Sequence, residues 1–364
     1  MKTMSEMSPK ERILAALTGK EIDRVPWSPF LAYYFDHLPE DVRARGEIDY
    51  LQNIGADPLV RGFVPAYQFD WRGNSYQVRQ ENGKLYEIYE TKVGTLTEIK
   101  TYSPSANSWF CTTHPVQTEE DFKVLQYMYE NIIVTEGHGP VNDAYHSLGD
   151  SAVIAPNIGI ACKTAFQSLV EHWCGTEALT YALYDFPEVV EECLSVMQER
   201  DLETVRCSAG ADADVFNFYE DSSTTNISPE MFEKYTAPAI NEWGRILHKN
   251  GKLLMHHACG HLRALMPLIA KTEIDILESI SPPPTGNIDI TEVGEQLPEH
   301  IALIGGIEPL FFRNCTMEEL EARVKYLLDR LGKRRFVLAN SDSCPPDVSY
   351  EKFLLVSELV RNYR

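Results

Sequence analysis

From residue 118 onward, short unbroken apolar runs alternate with longer stretches in which apolar residues recur every three or four positions. The first pattern suits buried strands and the second amphipathic helices. Strands are predicted over 151–161, 213–221, 252–260, 274–281, 300–307 and 335–344. Helices are predicted over 118–131, 163–173, 185–210, 228–251, 262–272, 289–298, 316–332 and 350–363. Near the start, Ser8 suits an N-cap, Pro9 the first helical position, Glu11 the capping box and Gly19 the helix end. VPWSPF at 25–30 reads as a short buried strand. Residues 74–102 break the rhythm. There Asn82-Gly83 separates two alternating stretches rich in Tyr, Val and Ile, which predicts an antiparallel hairpin.

Strands that alternate with helices imply parallel βα units. No glycine-rich phosphate fingerprint opens a βα turn, which weakens a dinucleotide-binding sheet. The polar stretches YEDSSTT, HHACGH and NSDSCPP each follow a strand. In a barrel, the ends of different strands converge on one mouth. The expected fold is therefore an α/β (β/α)8 TIM barrel with an N-terminal helical segment and a β-hairpin insertion at 74–102. Residues 1–364 are expected to form one domain.

Charge narrows the partners. Lys plus Arg is 33 and Asp plus Glu is 54, a net charge of −21. Nucleic acid and anionic lipid both need a basic footprint, so neither is expected. The N-terminal residues lack the apolar core of a signal peptide, and no apolar run is long enough to span a membrane. The eight cysteines are scattered. Reduced thiols in a cytoplasmic protein are the expectation.

One constellation carries chemistry. His257 and Cys259 are two residues apart after the strand KLLM, so alternation turns both to one side. Cys344 follows another strand, and a barrel would bring the two strand ends together. One imidazole and two thiolates suit Zn²⁺ and leave a fourth position open. His256 should face the other way, and His261 is the alternative imidazole. Cys193 reads as helix packing. Glu220 and Asp221 end the strand DVFNFY, and only one of them should face the mouth. Glu278 ends another strand and could line it. Trp27, Phe30, Tyr33, Tyr34 and Phe35 cluster after the first strand, where an aromatic substrate could stack.

The chain resembles the uroporphyrinogen decarboxylase superfamily, and within it the zinc-dependent, corrinoid-linked methyltransferases. ERILAALTGKEIDRVP looks like that family's first helix and barrel entry. HACG followed by a distant Cys in SDSCPP resembles the methyltransferase branch's His-x-Cys…Cys zinc motif. YETKVGTLTE, ESISPPPTGN and FYEDSSTTNISPEMF resemble further family segments, the last with Asp221 seven before Ser228 as in the decarboxylases. One departure matters. The decarboxylases follow the entry strand with an arginine that pairs with substrate carboxylates, and PWSPFLAYYFDHLPE contains none. Unpaired carboxylates would be costly to desolvate there.

The resemblance implies transfer of a methyl group between a small methylated substrate and the cobalt of a separate corrinoid protein. That protein would dock over the strand C-terminal ends. Zinc would activate either an aryl methyl ether, the preferred reading, or a thiol such as coenzyme M. A cofactor-free decarboxylase and a non-catalytic binding module are two competing readings. A homodimer is left open.

Overall fold

The structure, a computed structural model, describes residues 6–104 and 108–363. They form two compact units, Met1–Pro65 with His138–Asn157 and Ala211–Arg364, and Ala66–Gly137 with Ile158–Gly210.

The first unit is a parallel α/β structure. Its strands are β1 (Leu59–Phe63), β8 (Val153–Pro156), β9 (Val215–Glu220), β10 (Leu253–Ala258), β11 (Ile276–Ile280), β12 (Ala302–Ile307) and β13 (Phe336–Asn340). Five of them stand in the order β13-β12-β11-β10-β9, and β1 pairs with β8. Every pairing is parallel. Asn157 bridges Asn217, which links β8 to β9. At the other end Trp27 bridges Leu338 of β13, and the Asp57 N–H just before β1 donates to Trp27 O at 2.7 Å. The expected strand at 25–30 is thus reduced to one bridge. Its place in the sheet is held by a backbone that also turns to Asp57. The strand β1 escapes the sequence pattern because Arg61 interrupts its apolar run.

Leu59, Val153, Ala155, Val215, Met255, Ile276, Ala302, Ile304, Val337 and Ala339 form one buried cluster with Ile13, Ala16 and Leu17 of the first helix, Pro9–Thr18. That helix has the capping box, the proline and the left-handed Gly19 cap that the sequence implies. Beside it Asp57 accepts from Arg12 Nη1 at 2.5 Å, Arg24 Nη1 at 2.7 Å and the Trp27 N–H at 3.1 Å. Its side chain is 1% exposed. Two guanidiniums on a buried carboxylate lock the helix and the residues after it to the start of β1.

The second unit holds a four-stranded antiparallel sheet of β3 (Ser75–Glu81), β4 (Lys84–Glu90), β5 (Thr95–Ser103) and β6 (Ser108–Thr113). It extends past the stretch that the alternation marks. Asn82 and Gly83 join β3 to β4 with φ of 51° and 72°, the backbone of a two-residue type I′ turn. A second pair, β2 (Tyr67–Asp70) and β7 (Ile133–Glu136), is also antiparallel. The helix expected over 163–173 is a short α-turn, Ala165–Ser168, followed by a π-turn, Leu169–Trp173. No helix among the described residues is long and apolar enough to cross a membrane.

Candidate metal centre

Strand parity builds the site. Residues two positions beyond the buried cluster point the same way. Leu59 leads to Arg61, Val215 to Asn217 and Tyr219, Met255 to His257, and Ile276 to Glu278. Cys259 and Asp221 continue this parity past the ends of β10 and β9.

There the structure brings together His257, Cys259 and Asp342, with one ligand atom from each and all three atoms within 4.8 Å of one another. Cys259 Sγ is 3.6 Å from Asp342 Oδ2, and His257 Nε2 is 4.0 Å from Asp342 Oδ1. Register shifts between Glu278 and Ile280, where Ser279 takes a φ of +74°. The Ser279 hydroxyl lies 3.5 Å from Cys259 Sγ. Left-handed backbone in a non-glycine residue costs energy, and here it sits beside the thiol.

Behind the imidazole stands a buried ion pair. Glu278 accepts from Arg61 Nε through one oxygen and lies 2.9 Å from His257 Nδ1 through the other. The Arg61 and Glu278 side chains are fully buried. Arg61 also donates to Leu59 O at 3.2 Å and to Ser28 O at 3.0 Å. With Nδ1 committed to a carboxylate, Nε2 is the ring nitrogen presented to Cys259 and Asp342. Burial disfavours charge on His257, but Cys259 and Glu278 outweigh it and raise the pKa to about 10. Burial likewise pushes Glu278 upward, yet Arg61 and then His257 hold it below its usual range. Imidazole, thiol and carboxylate donors around one point suit a borderline divalent cation such as zinc.

Cys344 lies elsewhere in the same loop. Its N–H donates to Phe30 O at 3.0 Å, and its buried Sγ is 3.7 Å from Pro345 O. Burial pushes that thiol upward. The loop is tied down by Asn340, whose side chain accepts from Phe30 N at 2.9 Å and donates to Phe30 O at 2.8 Å. Asp342, the residue brought to the site, is one that the sequence pattern alone does not single out. It stands two positions before Cys344, in a loop already marked by its polarity.

The two acidic candidates separate as alternation requires. Glu220 is buried on the outer side of the sheet with His256, at 3.4 Å, and Ser222, at 3.2 Å. Asp221 lines a cavity of about 440 Å³ together with Ser223, Thr225, Thr285, Cys259 and the Gly260–His261 turn. Among the aromatic candidates, Phe30 packs edge-on to His257 at 5.7 Å and beside Tyr219 at 6.5 Å. Trp27 is fully buried and meets Phe312. Tyr34 is buried with its hydroxyl on Tyr50, and Tyr33 is largely exposed. His261 shapes the loop, its N–H donating to Ser223 Oγ at 2.9 Å.

A model of the uroporphyrinogen decarboxylase (URO-D) family matches residues 144–363, more than half of the chain. The chain belongs to the URO-D family. The matched region carries Glu220, Asp221, His257, Cys259, Glu278, Asp342 and Cys344. Among solved structures, a methyltransferase from Methanosarcina mazei is similar with a TM-score of 0.64 at 14% identity, covering 98% of this chain and 99% of that one. This likeness places the URO-D chain in the same fold. A B12-independent methionine synthase from Shewanella sp. W3-18-1 gives a TM-score of 0.46 at 11% identity over 93% of this chain and 98% of its own. A putative vitamin-B12 independent methionine synthase from Listeria monocytogenes gives 0.43 at 14% identity over 93% and 95%. No curated protein matches.

Proposed function

We propose that this URO-D family protein is a zinc-dependent methyltransferase that moves a methyl group between a small methylated substrate and the cobalt of a corrinoid carried by a separate protein. The observation that carries the reading is the convergence of His257, Cys259 and Asp342 beside an open cavity at the C-terminal ends of parallel strands. In this reading the strands close into a (β/α)8 barrel in which residues 25–30 take the eighth strand position. The hairpin region is an insertion in a single cytoplasmic barrel domain.

His257 and Cys259 are two ligands. The loop of β13 supplies the third, either Asp342 as it stands or Cys344 after its thiol turns toward Cys259. When bound, the metal supplies Lewis acidity toward the heteroatom that carries or accepts the methyl group. The chain's own residues orient and shield that centre. Glu278, held by Arg61, keeps Nε2 of His257 facing the ligand cluster. Phe30 and Tyr219 wall off one side, and Phe30 is the aromatic candidate placed to stack an aryl methyl ether. Asp221 is the carboxylate on the cavity wall, placed to take or return a proton at the reacting heteroatom. Glu220 takes no part in this.

Metal analysis with a methyl-transfer assay tests the proposal. About one zinc per chain is expected from the three-ligand rule, with methyl transfer to reduced cobalamin from one member of a panel of methoxylated aromatics, methylamines and methylated thiols. Full zinc occupancy in a Cys259→Ala/Cys344→Ala double variant would sink the metal assignment. Decarboxylation of a tetrapyrrole by metal-free protein would favour the decarboxylase reading.

A further inference from the structure

One residue on β11 breaks the parity that builds the site. Glu278 pairs with Ile304 and Ile280 with Gly305, so Ser279 is an extra residue in the ladder. In an unbroken strand it would point away from the side that Glu278 faces. A left-handed φ of +74° at the bulge turns it back instead. Its hydroxyl donates to Cys259 Sγ at 3.5 Å. Ser279 is 2% exposed, and among the described residues the thiol is the hydroxyl's one partner. Glycine would adopt this backbone at no steric cost. Serine adds a Cβ that the conformation penalises and a hydroxyl that reaches a single atom. Two adjacent residues of one strand thus hold two donors of the cluster from behind, Glu278 at His257 Nδ1 and Ser279 at Cys259 Sγ.

On the metal-centre reading above, we infer that Ser279 is a positioning residue that restrains the Cys259 sulfur, so that the ligand does not itself take the methyl group. Once deprotonated for metal binding, that sulfur only accepts hydrogen bonds, and the Ser279 O–H is placed to donate to it. Cys259 is partly exposed and lines the cavity, within reach of a small electrophile. Attack on a methyl group there would form a sulfur–carbon bond and break the bond between the methyl group and its carrier, which would leave with the bonding pair. The thioether left behind is neutral and a weaker donor. A hydrogen bond to the sulfur engages one of its lone pairs and tunes it as a ligand, which lowers its drive for that side reaction.

Cobalt(II)-loaded protein reports on the sulfur through its thiolate-to-metal charge-transfer band. In Ser279→Ala, loaded to wild-type stoichiometry, the band should move to lower energy, because a sulfur without the hydrogen bond gives up electron density more readily. Methyl iodide, which loses iodide as the sulfur takes the methyl group, should alkylate Cys259 of the zinc-loaded variant on the order of tenfold faster, as loss of one hydrogen bond to a charged acceptor allows. The readout is the methylated Cys259 peptide by mass spectrometry. Ser279→Gly lacks the same hydroxyl but relieves the backbone. It should shift the band equally and unfold at a higher temperature than Ser279→Ala, and it carries the test if the alanine variant folds poorly. An unmoved band in the loaded variants, or an unchanged alkylation rate, overturns the inference. If wild type loads neither cobalt nor zinc, the metal-centre reading falls instead. Alkylation of metal-free Cys259 at the alkaline plateau of its rate profile then decides the restraint on the sulfur, as it does if the variants alone lose metal. Faster reaction in Ser279→Ala upholds it, and equal rates overturn it.

Discussion

The two ends of the parallel strands in the first unit hold opposite charges and use them differently. At the N-terminal ends a groove of about 930 Å³ is lined by Lys20, Arg330, Lys333, Arg334 and Arg335. Its guanidiniums are engaged with the protein. Arg334 donates to the carbonyls of Gly294, Leu297, Pro298 and Ile301 at 2.7–3.2 Å, and Arg335 to His300 O at 2.8 Å. Arg330 pairs with Glu295. These cations satisfy carbonyls at helix and loop ends. At the C-terminal ends the cavity is half that size, and its wall carries Asp221, hydroxyls and the Cys259 thiol instead of lysines and arginines. The two ends differ in the chemistry of their side chains more than in volume.

The contrast can be broken by substitution. The largest effect is expected at the C-terminal end, where Cys259→Ala should remove nearly all bound zinc, measured by elemental analysis, with an unchanged circular dichroism spectrum. At the other end, Asp57→Ala removes the carboxylate shared by Arg24 and Nη1 of the buried Arg12, which keeps Asp23. It should cost about 3–5 kcal/mol in denaturant unfolding, the usual loss when one partner of a buried pair is removed, while zinc per folded chain stays the same. Asp221→Asn should lower turnover roughly 100-fold, as loss of acid–base help does. Glu220→Gln should leave turnover near wild type, and wild-type turnover in both would make the loop structural.

A smaller effect should appear in acid. Burial works to raise the pKa of Asp23, but the hydrogen bonds from Arg12 and the Met7 N–H overcome it and hold it below its ordinary 3.8. The group binds protons more readily unfolded than folded, so its stabilisation is complete above 3.8 and fades as pH falls through the lower folded value. Asp23→Asn should flatten that part of the stability–pH curve. The smallest effect is expected at Lys333. Lys333→Ala on the exposed groove wall should change stability by no more than about 0.5 kcal/mol and leave zinc untouched. A large loss of activity there would give the basic groove a role that its geometry does not suggest.

How much of this is legible in the chain depends on the range of the interaction. The parallel βα pattern, the first helix with its caps and the Asn82-Gly83 turn are local, and residues near in sequence encode them. The pairing of His257 with Cys259 and the opposition of Glu220 to Asp221 follow from the two-residue period of a strand. Arg61 escapes notice because a charge in a short apolar run argues against a strand until its partner Glu278, 217 residues away, is known. Tyr34 reads as a substrate contact because its partner Tyr50 lies on another helix. Phe30, on the same short segment, does reach His257. Asp342 and Cys344 share a parity, so alternation cannot choose between them. The turn of the loop chooses, by carrying Cys344 back to Phe30.

The parity of β10 also bears on how this gene can change. His256 and His257 are chemically identical but face opposite worlds: one stacks on Phe218 and meets Glu220, the other meets Glu278 and the ligand cluster. Deleting a single codon within the strand would exchange them and turn Cys259 outward, while length, composition and motif would barely change. Such an allele should fail even though every residue it needs is still encoded. Insertions and deletions tolerated in this strand should therefore come in pairs of codons, a signature that sequencing survivors of a random indel library would reveal.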